Sequence, residues 1–245
     1  MPVSRVVSLI VIQFGLLCGA LPAQELVVTA HIDLIGPKGK LWRGSQQVDT
    51  VVWLTPLQGS QAVPKKENVP APVVRLTQKN KSFDPHVLVI PAGTSVEFPN
   101  HDPFFHNVFS LFEGKRFDLG LYEAGGTRFV HFERAGISYI FCNIHPEMSA
   151  IVIALAAPYY ARTDASGNVT IPAVPPGRYL VHIWNERATS ESAELTTHEL
   201  TLSAESNSLG TIRLPIATDP LPQHKNKYGR DYDKVAPTNP IYEQQ

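Results

Sequence analysis

The sequence predicts an all-β chain. Three observations carry that reading. Short β-branched and aromatic runs recur along it, separated by turn formers that include 21 prolines and 16 glycines. Within one such run, Tyr179, Val181 and Ile183 alternate with Leu180, His182 and Trp184, so the two sets face opposite sides of a buried strand. No segment sustains helical spacing, and no array of repeats is present. The charge is balanced, 21 basic against 22 acidic residues, and charged residues make up only 18%. That balance argues against nucleic acid or an anionic surface as partner. A length of 245 residues suits one large β domain or two small ones.

The elements follow in order. Residues 1–23 read as a secretory signal peptide: Arg5, an apolar run from Val6 to Cys18, and a small-residue end at Leu21-Pro22-Ala23. The run is short for a membrane span. A lipoprotein would use Cys18, but Leu17 fits that processing poorly. The implied compartment is periplasmic or extracellular, with no membrane span after cleavage. Residues 24–57 hold two strands, around 26-LVVTAHIDLI-35 and 48-VDTVVWLTPL-57. The polar, proline-spaced stretch 58–73 reads as a linker. A second β block spans 74–157, and a third spans 158–216, opened by the turn Asp164-Ala165-Ser166-Gly167-Asn168. Residues 217–245 read as a polar, partly disordered tail.

The chemistry gathers in 141-FCNIHPEM-148. Removal of the signal peptide leaves Cys142 as a lone thiol in an oxidising compartment, where it is an oxidation liability unless it serves a purpose. The bland reading is a small buried hydrophobe. Against it stand His145 and Met148 on the same short loop. Cys, His and Met on one tight turn suit a soft metal, copper best. A trigonal site needs a second imidazole, and His106, which opens the Val108-Phe109 strand, is the candidate. His101 sits on the preceding turn and reads as a bystander; His86 and His131 read as structural residues of strands. His31, His182 and His198 have no soft-donor neighbours, and His224 lies in the tail.

These residues carry a family resemblance. Gly93-x-x-Val96-x-Phe98-x-Asn100-x-Asp102 followed by His106-Asn107-Val108, together with Cys142-x-x-His145-Pro146-x-Met148, resembles the cupredoxins, the plastocyanin and amicyanin family. The resemblance covers about a third of the chain. It implies a Greek-key β-sandwich over 74–157, with one mononuclear type 1 copper held by His106, Cys142, His145 and Met148. It also implies that Asn107 ties the ligand loops by hydrogen bonds, and that His145 is the electron port. Pro103, Phe104, Ile144 and Pro146 would surround that port as an apolar docking patch. Residues 158–216 resemble the second half of a carboxypeptidase regulatory-like, or transthyretin-like, sandwich, on Thr163-Asp164-x-x-Gly167-x-Val169 and Ile171-Pro172-x-Val174-Pro175-Pro176-Gly177-x-Tyr179. The strands of 24–57 look like its missing first half. The expected architecture is thus a cupredoxin sandwich inserted in, or adjoining, a smaller Ig/transthyretin-like sandwich.

The expected function is one-electron transport between transient redox partners. Copper storage, delivery or sensing is the alternative on the same donors. An enzyme is not expected. A multicopper enzyme would need His-x-His pairs, which the sequence lacks, and Cys142 has no orienting group that would make it a nucleophile.

Overall fold

A computed structural model describes residues 25–42, 49–57, 73–111, 114–189, 197–217 and 224–232. The expected signal peptide 1–23 lies outside the described residues, as does the expected linker 58–73 except for Val73. The chain is all-β: strands dominate, and no α-helix occurs among the described residues. No helix there is long and apolar enough to cross a membrane.

The first part carries β1 (Leu26–Ile35) and β2 (Thr50–Pro56). The middle carries β3 (Val74–Arg75), β4 (Thr77–Lys79), β5 (Ser82–Asp84), β6 (Val87–Pro91), β7 (Thr94–Pro99), β8 (His106–Ser110), β9 (Phe117–Tyr122), β10 (Thr127–Phe132), β11 (Gly136–Cys142) and β12 (Ser149–Leu155). The last part carries β13 (Tyr159–Arg162), β14 (Asn168–Val174), β15 (Gly177–Asn185), β16 (Thr197–Leu202) and β17 (Ser208–Pro215). Strand β9 lies in the stretch 110–126, which reads from sequence as a connection. Its Asp118-Leu119-Gly120 segment lacks β-branched residues, so propensity does not show it.

Pairing divides these strands between two sandwiches. β1 lies between β14 and β17, and β2 lies between β13 and β15, with β16 beyond. The opening strands therefore belong to the same sandwich as the closing ones, and everything from β3 to β12 is inserted between them. Strict alternation explains the outer core: Leu26, Val28, Ala30 and Ile32 of β1 face inward and meet Val52, Leu54, Tyr179, Val181 and Ile183. Tyr179 is fully buried, and its hydroxyl donates to the Pro175 carbonyl at 2.7 Å. Burial pushes this phenol up to about 12.

The inserted sandwich stacks a sheet of order β6-β12-β11-β8-β9 on a smaller one of order β10-β7-β3. Its core includes Val96, Phe98, Val108, Phe132, Ile140, Val152 and, at one end, Cys142 and Met148.

The two sandwiches meet through a third apolar layer. Along β12, Ala150, Val152 and Ala154 point into the inserted core, whereas Ile151, Ile153 and Leu155 point the other way. There they pack with Val51 of β2 and Val87, and Trp53 and Trp184 close around them. This is why 149-SAIVIAL-155 is apolar on both faces: one strand serves two interiors.

A polar clasp spans the same junction. His86, just before β6, has Nε2 at 2.8 Å from Glu186 Oε2 and Nδ1 at 3.1 Å from the Ser149 carbonyl. Both partners only accept, so the arrangement favours the imidazolium. The Glu186 hydrogen bond outweighs burial and raises His86 above its ordinary 6.5. A raised folded value means that the stabilisation is complete below pH 6.5 and is lost as pH rises through the folded value. The pair is partly exposed, so the effect is at most about 1 kcal/mol. Thermal unfolding midpoints across that pH range are expected to slope downward in the wild type. Glu186→Gln should flatten the slope, and an unchanged slope would refute the assignment.

Candidate metal centre

The site is built where β11 ends. Cys142 is its last residue, and β12 starts only at Ser149. The intervening loop is folded on itself by backbone bonds: Cys142 N–H donates to the Met148 carbonyl at 3.2 Å, and Met148 N–H to the His145 carbonyl at 3.1 Å. β8 runs antiparallel beside β11 with Val108 opposite Cys142, which brings the start of β8, His106, to the loop. Asn143 N–H donates to the Asn107 carbonyl at 2.8 Å and fastens the loop to β8.

Three donor atoms converge as a result. Cys142 Sγ lies 3.6 Å from His106 Nδ1 and 3.5 Å from His145 Nδ1, and the two nitrogens are 3.1 Å apart. His106, Cys142 and Met148 are wholly buried, whereas His145 is partly exposed. Met148 belongs to the same buried cluster as Cys142.

A hydrogen bond fixes the tautomer of His106. Its Nε2 lies 2.9 Å from Asp102 Oδ2, and an ionised carboxylate can only accept. The ring proton therefore sits on Nε2, and the Nδ1 lone pair faces Cys142 and His145. Asp102 is itself pinned, accepting from Asn80 N–H at 2.6 Å and Lys81 N–H at 3.0 Å. Burial would raise the Asp102 carboxyl, but the donors from Lys81, His106 and Asn80 outweigh it and hold it below its ordinary value.

The remaining electrostatics suit ligands that bind without a proton. Burial, with help from nearby His106, lowers His145 to about 4, and burial likewise lowers His106. Both rings are thus neutral at neutral pH. Burial pushes the Cys142 thiol up, while backbone amides of Ile144, Asn107 and His145 directed at the sulfur oppose it. Those amides stabilise a thiolate once a cation is near. Phe104 walls the pocket, its ring 5.3 Å from His106 and 5.4 Å from His145.

These residues fit a copper ion. The centre of the donor triangle lies about 2 Å from each corner, the usual length of a metal–nitrogen or metal–sulfur bond. The donor set is soft, and it is the one group of three or more His, Cys, Asp or Glu ligand atoms found converging among the described residues.

The other expected site residues fall in different places. Asn107 ties the loops through its backbone carbonyl. Its side chain turns away and donates to Asp118 Oδ1 at 2.6 Å and the Gly120 carbonyl at 3.1 Å. Pro103 and Ile144 are exposed, and Pro146 is half-buried. Phe104 lines the pocket more than the surface, and the exposed neighbour is Phe105, at 45%. His101 stays exposed and outside the triangle.

Asp102 stands in the sequence motif without a role of its own, and residues 224–232 read as part of the tail. The polar composition of 217–245 suggests a tail, yet residues 224–232 lie ordered against the ligand loop, with Tyr232 hydrogen-bonded to Cys142. Their contacts are single hydrogen bonds, one ion pair and one ring stack, which leave no apolar periodicity to read.

Comparison with known proteins supplies a second line of findings. A family model for polysaccharide lyase family 4, domain II, matches residues 150–206, from β12 into the outer sandwich. No curated protein matches the chain. Among solved structures, a novel purple cupredoxin from Nitrosopumilus maritimus is similar at 24% identity, over 34% of this chain and 99% of that one, with a TM-score of 0.31. A copper-containing nitrite reductase from Thermus scotoductus is similar at 29% identity over 39% of this chain, with a TM-score of 0.34; the match spans 25% of the reductase. Amicyanin from Paracoccus versutus is similar at 25% identity, over 36% of this chain and 86% of that one, with a TM-score of 0.31.

Proposed function

We propose that the chain is an exported type 1 copper protein that carries single electrons between redox partners, and not an enzyme. One observation carries the proposal: a buried triangle of two neutral imidazole nitrogens and a cysteine sulfur, with the lone pair of His106 aimed inward by Asp102. His106, Cys142 and His145 would hold the ion, and Met148 would add a weak thioether ligand. A bound copper ion would supply a one-electron couple that thiolate and imidazole ligands suit in both oxidation states.

The protein's own residues do the rest. Asp102 and the Asn143–Asn107 bond hold the ligands in place, so little has to move when charge changes. Phe104 and the buried core keep water from the sulfur. His145 is the ligand that reaches the surface; Ile144 and Pro146 flank it on the loop, and Pro103 and Phe105 flank Phe104, whose ring packs against it. Such a small apolar rim suits partners that dock weakly and separate fast. The outer sandwich, read as carboxypeptidase regulatory-like, is a scaffold. The leader expected from sequence at residues 1–23 supports a periplasmic or extracellular location.

Titration of the chain from Gln24 with Cu(II) tests this. An intense visible band at one equivalent is expected, bleached reversibly by a mild reductant and abolished in Cys142→Ser. Binding of Cu(I) alone, with no thiolate-to-copper band, would overturn the carrier reading and point to copper storage, delivery or sensing.

A further inference from the structure

Residues 224–232 are not needed to close either sandwich, yet they are built onto the outside of the ligand loop. They have a fold of their own. Asn226 Oδ1 accepts from Tyr228 N–H at 3.0 Å and Arg230 N–H at 3.1 Å, and Asn226 N–H donates to the Arg230 carbonyl at 2.9 Å. These bonds close a local turn of the kind an Asn side chain favours.

Three of its outward contacts fall on the consecutive residues Phe141, Cys142 and Asn143. The His224 ring stacks on Phe141, with centroids 4.2 Å apart and planes 22° from parallel. The Tyr232 hydroxyl donates to the Cys142 carbonyl at 2.6 Å. Lys227 N–H donates to Asn143 Oδ1 at 2.9 Å. A fourth contact reaches the other ligand segment: Lys227 Nζ lies 2.7 Å from Asp118 Oδ2, and Asp118 Oδ1 accepts from Asn107 Nδ2. The segment thus bridges the two stretches of chain that supply Cys142 and His106.

We infer that Tyr232 is a positioning residue for the metal loop, acting through the Cys142 carbonyl. The inference rests on the copper reading proposed above. The direction of the bond is settled by chemistry. A carbonyl can only accept, so the single hydroxyl proton of Tyr232 goes to Cys142. Its oxygen is then left to receive His224 Nδ1, at 3.2 Å. Tyr232 is also held edge-on to His224, with centroids 5.2 Å apart, so the hydroxyl is delivered from a braced ring.

What this bond fixes is the peptide plane between Cys142 and Asn143. The N–H of that same peptide donates to the Asn107 carbonyl, and the next amides along, those of Ile144 and His145, are directed at the cysteine sulfur. Freeing the carbonyl lets the plane rock and spoils the alignment of all three. Hydrogen bonds one step removed from a metal set ligand orientation in this manner.

The test uses the full chain and Tyr232→Phe, which keeps the ring and removes only the hydroxyl. One readout needs no metal: hydrogen exchange of the amides of Asn143, Ile144, His145, Glu147 and Met148, expected to quicken about 5- to 10-fold, as loss of one hydrogen bond would give. The second is Cu(I) transfer from the reduced, loaded protein to a competing chelator, expected to quicken similarly, together with a shift of the thiolate-to-copper band of the Cu(II) form. Tyr228→Ala, on the same segment but 73% exposed, is expected to change neither. Unchanged exchange overturns the inference. So does faster exchange throughout the β-core, which would mean that the hydroxyl serves global stability only, and so does faster loop exchange with copper transfer and band unaltered. A wild type that binds no copper overturns the proposed function instead, and the exchange data then judge the hold on the Cys142 peptide by themselves.

Discussion

Asp102→Asn is expected to lower copper affinity about 10- to 100-fold, the usual cost of losing a hydrogen-bonding partner behind a ligand. The exchange is nearly isosteric, so the effect comes from donors and acceptors. The carboxylate accepts three bonds, two on Oδ2 from His106 and Lys81 and one on Oδ1 from Asn80. An amide offers one accepting atom. If its oxygen stays on Asn80, its NH₂ group faces the Lys81 N–H and His106 Nε2. His106 then relieves the conflict by shifting its proton to Nδ1, the atom that should bind the metal. If the amide flips, the Asn80 N–H is stranded. Asp102 is only 4% exposed, so water relieves neither case cheaply. Chelator competition on the variant and the wild type measures the ratio. An affinity within twofold of wild type would show that Asp102 does not orient His106.

Ile153→Ala is expected to destabilise the protein by about 2–5 kcal/mol, the range for truncating a buried isoleucine. Ile153 is 1% exposed and lies in the apolar layer between the two sandwiches. Its neighbours there, Val51 from β2 and Val87 and Leu155 from the inserted sandwich, are fixed by their own sheets and cannot collapse inward. Because the cavity opens between the two units, both should feel it. Urea unfolding followed by Trp53 and Trp184 fluorescence measures the loss. A change below about 1 kcal/mol would mean that the layer is not packed in solution, since deleting well-packed methyl groups costs more than that.

Much of this was legible in the sequence, for identifiable reasons. Alternation in Leu26 to Ile32 and in Tyr179 to Ile183 marks strands because a strand has only two faces. The spacing of Cys142, His145 and Met148 marks a site because a short loop between paired strands cannot scatter its side chains. The role of Asp102 was hidden because it depends on a bond to His106 that only the bent turn creates. Strand β9 was hidden because glycine and aspartate interrupt it. Residues 224–232 were hidden because a segment held by a few polar contacts has the same composition as one held by none. Phe104 and Phe105 were both in plain view, but which of them turns inward depends on the bend before β8.

The insertion also sets an order of events in time. β1 pairs in parallel with β17, the last strand among the described residues, so that partner leaves the ribosome about 180 residues after β1 does. The inserted sandwich draws its strands from one continuous stretch, β3 to β12, and has every partner it needs long before that. Loop closure over a shorter separation is also the cheaper step. The inserted sandwich is therefore complete while its frame is still open, and Tyr232 arrives after both. Of the described strands β1 is the earliest and among the last to be paired on both sides, and until β17 arrives one of its edges stays open to a chaperone or a second chain.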